Sequence, residues 1–299
     1  MPVEISDWND LDAVRNDLTA DYVLVNDLDS DTDGYAGLGD DFEPIGPEPP
    51  DDGFRGTFDG QGNIIRDLEI SANQRGVALF ANLGFGGDGT EIIENLIVGG
   101  SVTNTGTEQS TGGVVGEVSE GTIQNCASFV DVTSDGDRVG SLCGNFSGAV
   151  IKDSYATGSV EGDGQVGGLV GGSQLIETSY AVGQVSGNTD VGGLVGQAFG
   201  DVVDSYWDTE SSGQSTSDGG TGLTTAEMQG SEAETNMDGF DFEDVWDSVL
   251  ESDDDVDEDG YPVLQELDRK AQLVETLGVG AVAFGAWRSL SDNRILKTF

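Results

Sequence analysis

A right-handed parallel β-helix is the fold this sequence predicts, and three observations predict it. A glycine-led pentapeptide recurs as Gly112–Gly116, Gly140–Gly144, Gly167–Gly171 and Gly192–Gly196, starting at residues 112, 140, 167 and 192, so 28, 27 and 25 residues apart. Each copy is followed by a short run ending in a small polar residue: TIQNC (122–126), IKDSY (151–155), IETSY (176–180) and VDSYW (203–207), with IIEN (92–95) upstream. No amphipathic stretch of helical length fits inside the period, which excludes leucine-rich and ankyrin types. Third runs, GSV (100–102), VDV (130–132), GSV (158–160) and GQV (183–185), complete a coil of three short strands with glycine-rich corners. One such coil cannot bury its apolar side, so the core becomes continuous only by stacking.

The alignment explains several residues at once. Cys143 falls in the column of Val115, Val170 and Val195, and Cys126 in that of Asn95, Ser154, Ser179 and Ser205. Both therefore read as buried free thiols filling a ladder position. Tyr155, Tyr180 and Tyr206 form a third column and predict a stacked file along one corner, as packing and not as a sugar platform. A weaker copy of the pentapeptide is Val77-Ala-Leu-Phe-Ala81.

An open coil exposes core and strand edges at both ends and needs caps. Residues 6–18 hold Ser6 or Asp7 as N-cap and Trp8, Leu11, Val14 or Arg15, and Leu18 at helical spacing, which predicts a short helix plugging the first rung. Trp207, Phe240, Phe242, Val245 and Trp246 are expected to cover the last rung, and the Gly/Ser/Thr/Asp-rich residues 209–222 to be a loop. The predicted organisation is a cap over 1–20, the β-helix over 21–208, a loop and second cap over 209–264, and a partly helical tail over 265–299.

The strings VGGLVG (166–171 and 191–196), SYA (154–156 and 179–181) and the GSV or GQV that follows resemble the GLUG-motif repeat of bacterial and archaeal surface proteins and adhesins. YVLVNDLD (22–29), EPIG (43–46) and FRGTFDGQGNIIRDLEI (54–70) are similar to the opening of such β-helices, and residues 205–230 to the segment that closes them. The resemblance covers roughly residues 5–265 and is specific for fold. It implies no shared catalytic motif.

The chain carries 57 Asp+Glu against 11 Lys+Arg, a formal charge of −46. Such a charge repels itself in dilute buffer. At about 1 M salt the screening length falls to roughly 3 Å and most of the repulsion disappears. The acid is spread along the chain, the pattern of a halophilic surface and not of an acidic tail. No basic stripe exists, so nucleic acid is not an expected partner.

With no histidine, histidine acid–base catalysis and zinc–histidine sites are excluded. Arg138 and Lys152 are the only basic residues between positions 76 and 268, too few for a lyase that must face a bound uronate, so no enzyme is expected. Polysaccharide cleavage is the rival that the fold class keeps open. No cofactor is required, and calcium is the one candidate ion. Asp255, Asp257 and Asp259 with Gly260 and Glu266 fit the D-x-D-x-D-G-x₅-E spacing, and Asp29, Asp31, Asp33 and Asp40 fit it with Asp last.

The tail reverses the charge. Arg269, Lys270, Arg288, Arg294 and Lys297 face Glu275 and Asp292, so 5 − 2 = +3 over residues 269–299, around an uncharged run from Thr276 to Trp287. It is expected to dock the β-helix on other virion or surface-assembly proteins or on its own copies, a trimer being the expected homo-oligomer. The opening residues MPVEISDWND carry no basic n-region or apolar h-region. A virion component assembles inside the cell and needs no leader. The expected role is therefore a structural protein on the surface of a virion infecting a halophilic archaeon, a spike, turret, fibre or baseplate component that attaches to a host surface glycan or S-layer protein. A haloarchaeal cell-surface adhesin, extracellular, is the alternative.

Overall fold

The computed structural model describes residues 1–46, 53–107, 110–248 and 260–267. The chain winds into a parallel β-solenoid, as expected, but each coil has four faces and not three. One coil runs Asp137–Gly140 in sheet II, Cys143–Phe146 in sheet III, Ala149–Lys152 in sheet I, then Tyr155–Ala156 and Val160–Glu161 in sheet IV. The next begins at Gly164–Gly167, stacked on Asp137–Gly140. Sheet I has eight strands, sheet II three, sheet III five and sheet IV nine.

The extra face comes from the pentapeptide, which is a corner and not a strand. Gly164–Gly167 ends and Val170–Ser173 begins on either side of Gly168-Leu169. The two arms fold close enough that backbone meets backbone: a Cβ on Gly171 would lie 2.3 Å from Val139 N and 2.4 Å from the Arg138 carbonyl carbon, in the preceding coil. A Cβ on Gly167 would lie 2.1 Å from Val170 O. The repeat thus demands glycine because no side chain fits between sheets II and III.

Register follows the columns read from sequence. Phe80, Val115, Cys143, Val170 and Val195 stack in sheet III. In sheet I the inward column runs Val3, Tyr22, Phe58, Ile93, Ile123, Ile151, Ile176, Val202, and the outward one Glu4, Val23, Asp59, Glu94, Gln124, Lys152, Glu177, Val203. The period-2 alternation puts the first column from Tyr22 to Ile176 in one apolar core, with Val202 packed against it, while Val3, at the start of the stack, is exposed. One alignment shifts: Ile97 pairs with Ala127, so Leu96 and not Asn95 shares the column of Cys126. Asn95 instead precedes the corner with Asn125, Asp153, Thr178 and Asp204, all at φ between 44° and 53°.

At the N-terminal end a helix spans Trp8–Ala13, with Asp7 accepting from the Asn9 and Asp10 amides, and buries Trp8 and Leu11. A 3-10 turn, Val14–Asn16, follows and buries Val14. At the other end only Trp207 joins the solenoid core. Phe240 and Trp246 do not cover the last rung. They belong to a second core on the outer side of sheet IV, with Met228, Ala233, Met237, Leu264 and Leu267, and Phe242 and Val245 pack against it. Residues 209–222 do more than connect. Ser217 Oγ accepts from the Leu194 and Val195 amides, at 3.2 and 2.9 Å. Asp218 carboxylate accepts from the Ala198 amide, and Thr221–Leu223 adds a strand to sheet IV. This segment closes sheets III and IV, meeting the need of exposed edges. The tail from residue 268 lies outside the described residues.

Candidate functional site

Corner residues carry most of the buried polar chemistry. Ser154 Oγ donates to Lys152 O and accepts from the Cys126 amide; Ser179 and Ser205 repeat this with Glu177 O and Val203 O, and with the Ser154 and Ser179 amides. Cys126 occupies the same place, its thiol 3.2 Å from Gln124 O. Burial pushes that thiol up to about 12 and raises Cys143 further. Both are free and buried, so neither presents a thiolate at neutral pH.

The tyrosine column stacks in part: Tyr155 and Tyr180 lie 5.1 Å apart with planes 5° from parallel, whereas Tyr206 meets Phe240 edge-on. It is covered and not open. Phe240 stacks on Trp246 at 4.6 Å, both lie against Tyr180, and the Tyr180 and Tyr206 hydroxyls donate to Pro262 O and Asp238 O at 2.6 and 2.7 Å. Burial pushes Tyr206 up to about 12 and raises Tyr180.

One carboxylate is fully buried at the joint between solenoid and outer plate. Asp208 accepts from the Glu210 and Ser211 amides, from Thr225 Oγ1 at 2.6 Å and from the Tyr261 hydroxyl. Burial pushes its pKa up, but the Thr225 and Tyr261 hydrogen bonds outweigh it, so the net shift is downward. The Tyr261 hydroxyl is raised in turn, by burial first and by Asp208 second. Sequence reasoning missed Asp208, because one Asp among so many acids carries no signal. Its only mark is its place directly after Tyr206-Trp207, the third level of the tyrosine column.

Of the first calcium candidate, Asp29 is half-buried and Asp31, Asp33 and Asp40 are exposed. Asp29 Oδ1 accepts from the Asp31 amide and from Thr32 Oγ1, closing its own turn, and Asp40 Oδ1 accepts from the Gly37 amide. Among the described residues no group of three or more His, Cys, Asp or Glu side chains assembles that could hold a metal ion. In the second candidate Asp255, Asp257 and Asp259 lie outside the described residues, and Glu266 is exposed. Outward pairs elsewhere are structural: Arg75 grips Glu117 with two contacts of 2.8 and 2.7 Å. Among the described residues no helix is long and apolar enough to cross a membrane.

No family model matches the chain, so the GLUG resemblance rests on the repeat strings alone. The chain is similar to halomucin of Haloquadratum walsbyi, 33% identical over 181 residues that make up 58% of this chain. It spans about 2% of that protein's length. Among solved structures it resembles a candidate immunoglobulin A1 protease from Bacteroides ovatus, with TM-score 0.61, 20% identity, and coverage of 89% of this chain and 92% of that one. At that identity the likeness establishes the parallel β-solenoid and nothing about activity.

Proposed function

We propose that this chain is a structural, non-catalytic solenoid exposed on the outside of a halophilic archaeon. The observation that carries the reading is the pairing of a stiff, self-capped stack with a formal charge of −46, in a sequence similar to a halomucin. The buried tyrosine file, the buried thiols and the absence of histidine leave little for catalysis, and the protease name of the structural neighbour comes with 20% identity. A surface role asks for shape, persistence and hydration in brine, and those are the properties this architecture supplies. The basic tail is its docking element, toward other proteins of the surface assembly, and a host glycan or S-layer protein is the outward partner.

The virion placement is the narrower form of the same reading. Fractionating a producing culture separates the two: the protein is expected in the cell envelope or medium, and banding with particles in a high-salt density gradient would move it to the virion. The reading as a whole is tested by circular dichroism in falling KCl, where the β signal is expected to vanish cooperatively well above physiological ionic strength as self-repulsion returns. A spectrum unchanged in dilute buffer would overturn it.

A further inference from the structure

The seam between sheets II and III carries a ladder of side-chain pairs. The close approach of the two sheets sets Gly116 against Gly76, Gly144 against Ser110, Gly171 against Arg138 and Gly196 against Gln165. The residues that follow these glycines stand in one column of sheet III: Glu117, Asn145, Gly172 and Gln197. Each therefore faces the partner of the glycine before it. Arg75, next to Gly76, grips Glu117, and Gln165 Nε2 donates to Gln197 Oε1.

One step of this ladder is empty. Opposite Arg138 the column holds Gly172, which has no side chain to present. Arg138 donates from Nε to Gln165 Oε1 at 2.9 Å, and among the described residues it pairs with no carboxylate. Arg15, Arg66, Arg75 and Lys152 each do, at 2.7, 3.3, 2.7 and 3.4 Å. In a chain with 57 acids, a rung arginine without one is an exception. A second group shares the gap. Asn145 is only 8% exposed, yet its carboxamide makes no hydrogen bond among the described residues. Such a group is costly to leave unpaired. It is aimed at the gap, because a Cβ on Gly172 would lie 2.8 Å from Asn145 Oδ1. The same Cβ would lie 3.7 Å from Phe199 Cε2, and Phe199 is 56% exposed. All of these residues fall within 110–248, where every residue is described.

We propose that the notch at Gly172 binds an acidic sugar, with its carboxylate on Arg138. The two Nη groups of the guanidinium form a planar fork that matches a carboxylate. The Asn145 carboxamide supplies a donor and an acceptor for ring hydroxyls, and Phe199 an apolar face for the C–H side of the sugar ring. An acidic peptide side chain would engage the fork alone, whereas a sugar ring engages all three groups. In molar salt the charge of −46 is screened beyond roughly 3 Å, so these local contacts decide whether an anion binds. The site gives the outward partner of the surface reading a place on the molecule, and rests on that reading only for the presence of such sugars.

The test is isothermal titration calorimetry of the full chain in molar KCl. The probes are trigalacturonate, maltotriose as a neutral sugar and oligoglutamate as an acidic peptide. Saturable binding of trigalacturonate is expected, and much weaker binding of the other two. Arg138→Gln removes the fork. Gly172→Glu gives Arg138 the carboxylate that Arg75 has in Glu117 and closes the notch from within. Each is expected to weaken binding by about tenfold or more, and Phe199→Ala by a smaller factor. The column already holds Glu117, so Gly172→Glu is expected to fold, with a melting temperature no lower than wild type; should it not fold, Arg138→Gln decides alone. No saturable binding by wild type, or an affinity unchanged in Arg138→Gln or in a folded Gly172→Glu, would overturn the proposal. So would maltotriose or oligoglutamate bound as tightly as trigalacturonate. The surface reading fails separately, on the dilute-buffer spectrum, which does not depend on any sugar.

Discussion

Replacing Gly171 by alanine tests the reason for the repeat, with its neighbour Gly172 as control. A Cβ at position 171 would lie 2.3 Å from Val139 N and 2.6 Å from Arg138 Cα, backbone held in a ladder that can yield only by parting sheets II and III. At Gly172 the nearest atom is Asn145 Oδ1 at 2.8 Å, the end of a side chain that can turn aside, and the next is Phe199 Cε2 at 3.7 Å. Overpacking costs about 1–3 kcal/mol and sits at the upper end where nothing can move. Both substitutions also stiffen the unfolded chain, which stabilises each by about 0.4–1 kcal/mol. That gain cancels in the comparison, leaving a difference of about 2–3 kcal/mol. At about 2–4 °C per kcal/mol for a chain of this size, Gly171→Ala should melt roughly 5–10 °C below Gly172→Ala. Thermal melts by circular dichroism in molar KCl read this directly. Equal melting of the two variants would refute the claim that backbone contact, and not turn conformation, is what the pentapeptide encodes.

Three further outcomes follow from the corners, the joint and the acidic loops. Cys126→Ser should leave melting nearly unchanged, because Ser154, Ser179 and Ser205 already make the same bonds, and neither cysteine of the wild type should react with a thiol reagent at pH 8 until the protein unfolds; rapid labelling of folded protein would count against the burial. Asp208→Asn should loosen the outer plate by about 1–3 kcal/mol, since an amide nitrogen would face hydroxyl donors. Because the Asp208 pKa is lowered on folding, its stabilisation is fully present above the ordinary carboxylate range and is lost as pH falls through the folded value. The gap in melting temperature between wild type and variant should therefore narrow on acidification, and a gap constant with pH would refute the role. Asp257→Asn with Asp259→Asn should lower the melting temperature only when calcium is present, and equal melting with calcium and with chelator would show the loop to be a solvated acidic turn.

The columns were legible because a parallel stack repeats a side chain at each level: Val115, Cys143, Val170 and Val195, the serine corner and the tyrosine file each recur in sequence as they do in space. The fourth face was not, because the bend at Leu142, Leu169 and Leu194 lies inside a run that reads as one apolar strand. Nothing announces the left-handed residues within sheet II either. Arg138, Gln165 and Asp190 share a φ of 49–61° but no chemical preference for it. The direction of the C-terminal plate was also hidden. Phe240 and Trp246 were apparent as cap residues, but an end and a flank are both apolar surfaces, and only the buried tyrosines show which one was covered.

That plate has a consequence for the way the protein comes apart. In a stack where each level touches only its neighbours, levels can be lost one at a time from an open end. Here a single lateral slab grips Tyr155, Tyr180 and Tyr206, which belong to three successive levels. Those levels must detach together or not at all. Amide protons from Tyr155 to Asp208 should therefore exchange with deuterated solvent in one step, with a common opening free energy, where a plain stack would show a staircase that deepens with distance from the end. The slab thereby turns three levels of the stack into a unit with no partly opened state for a protease to find.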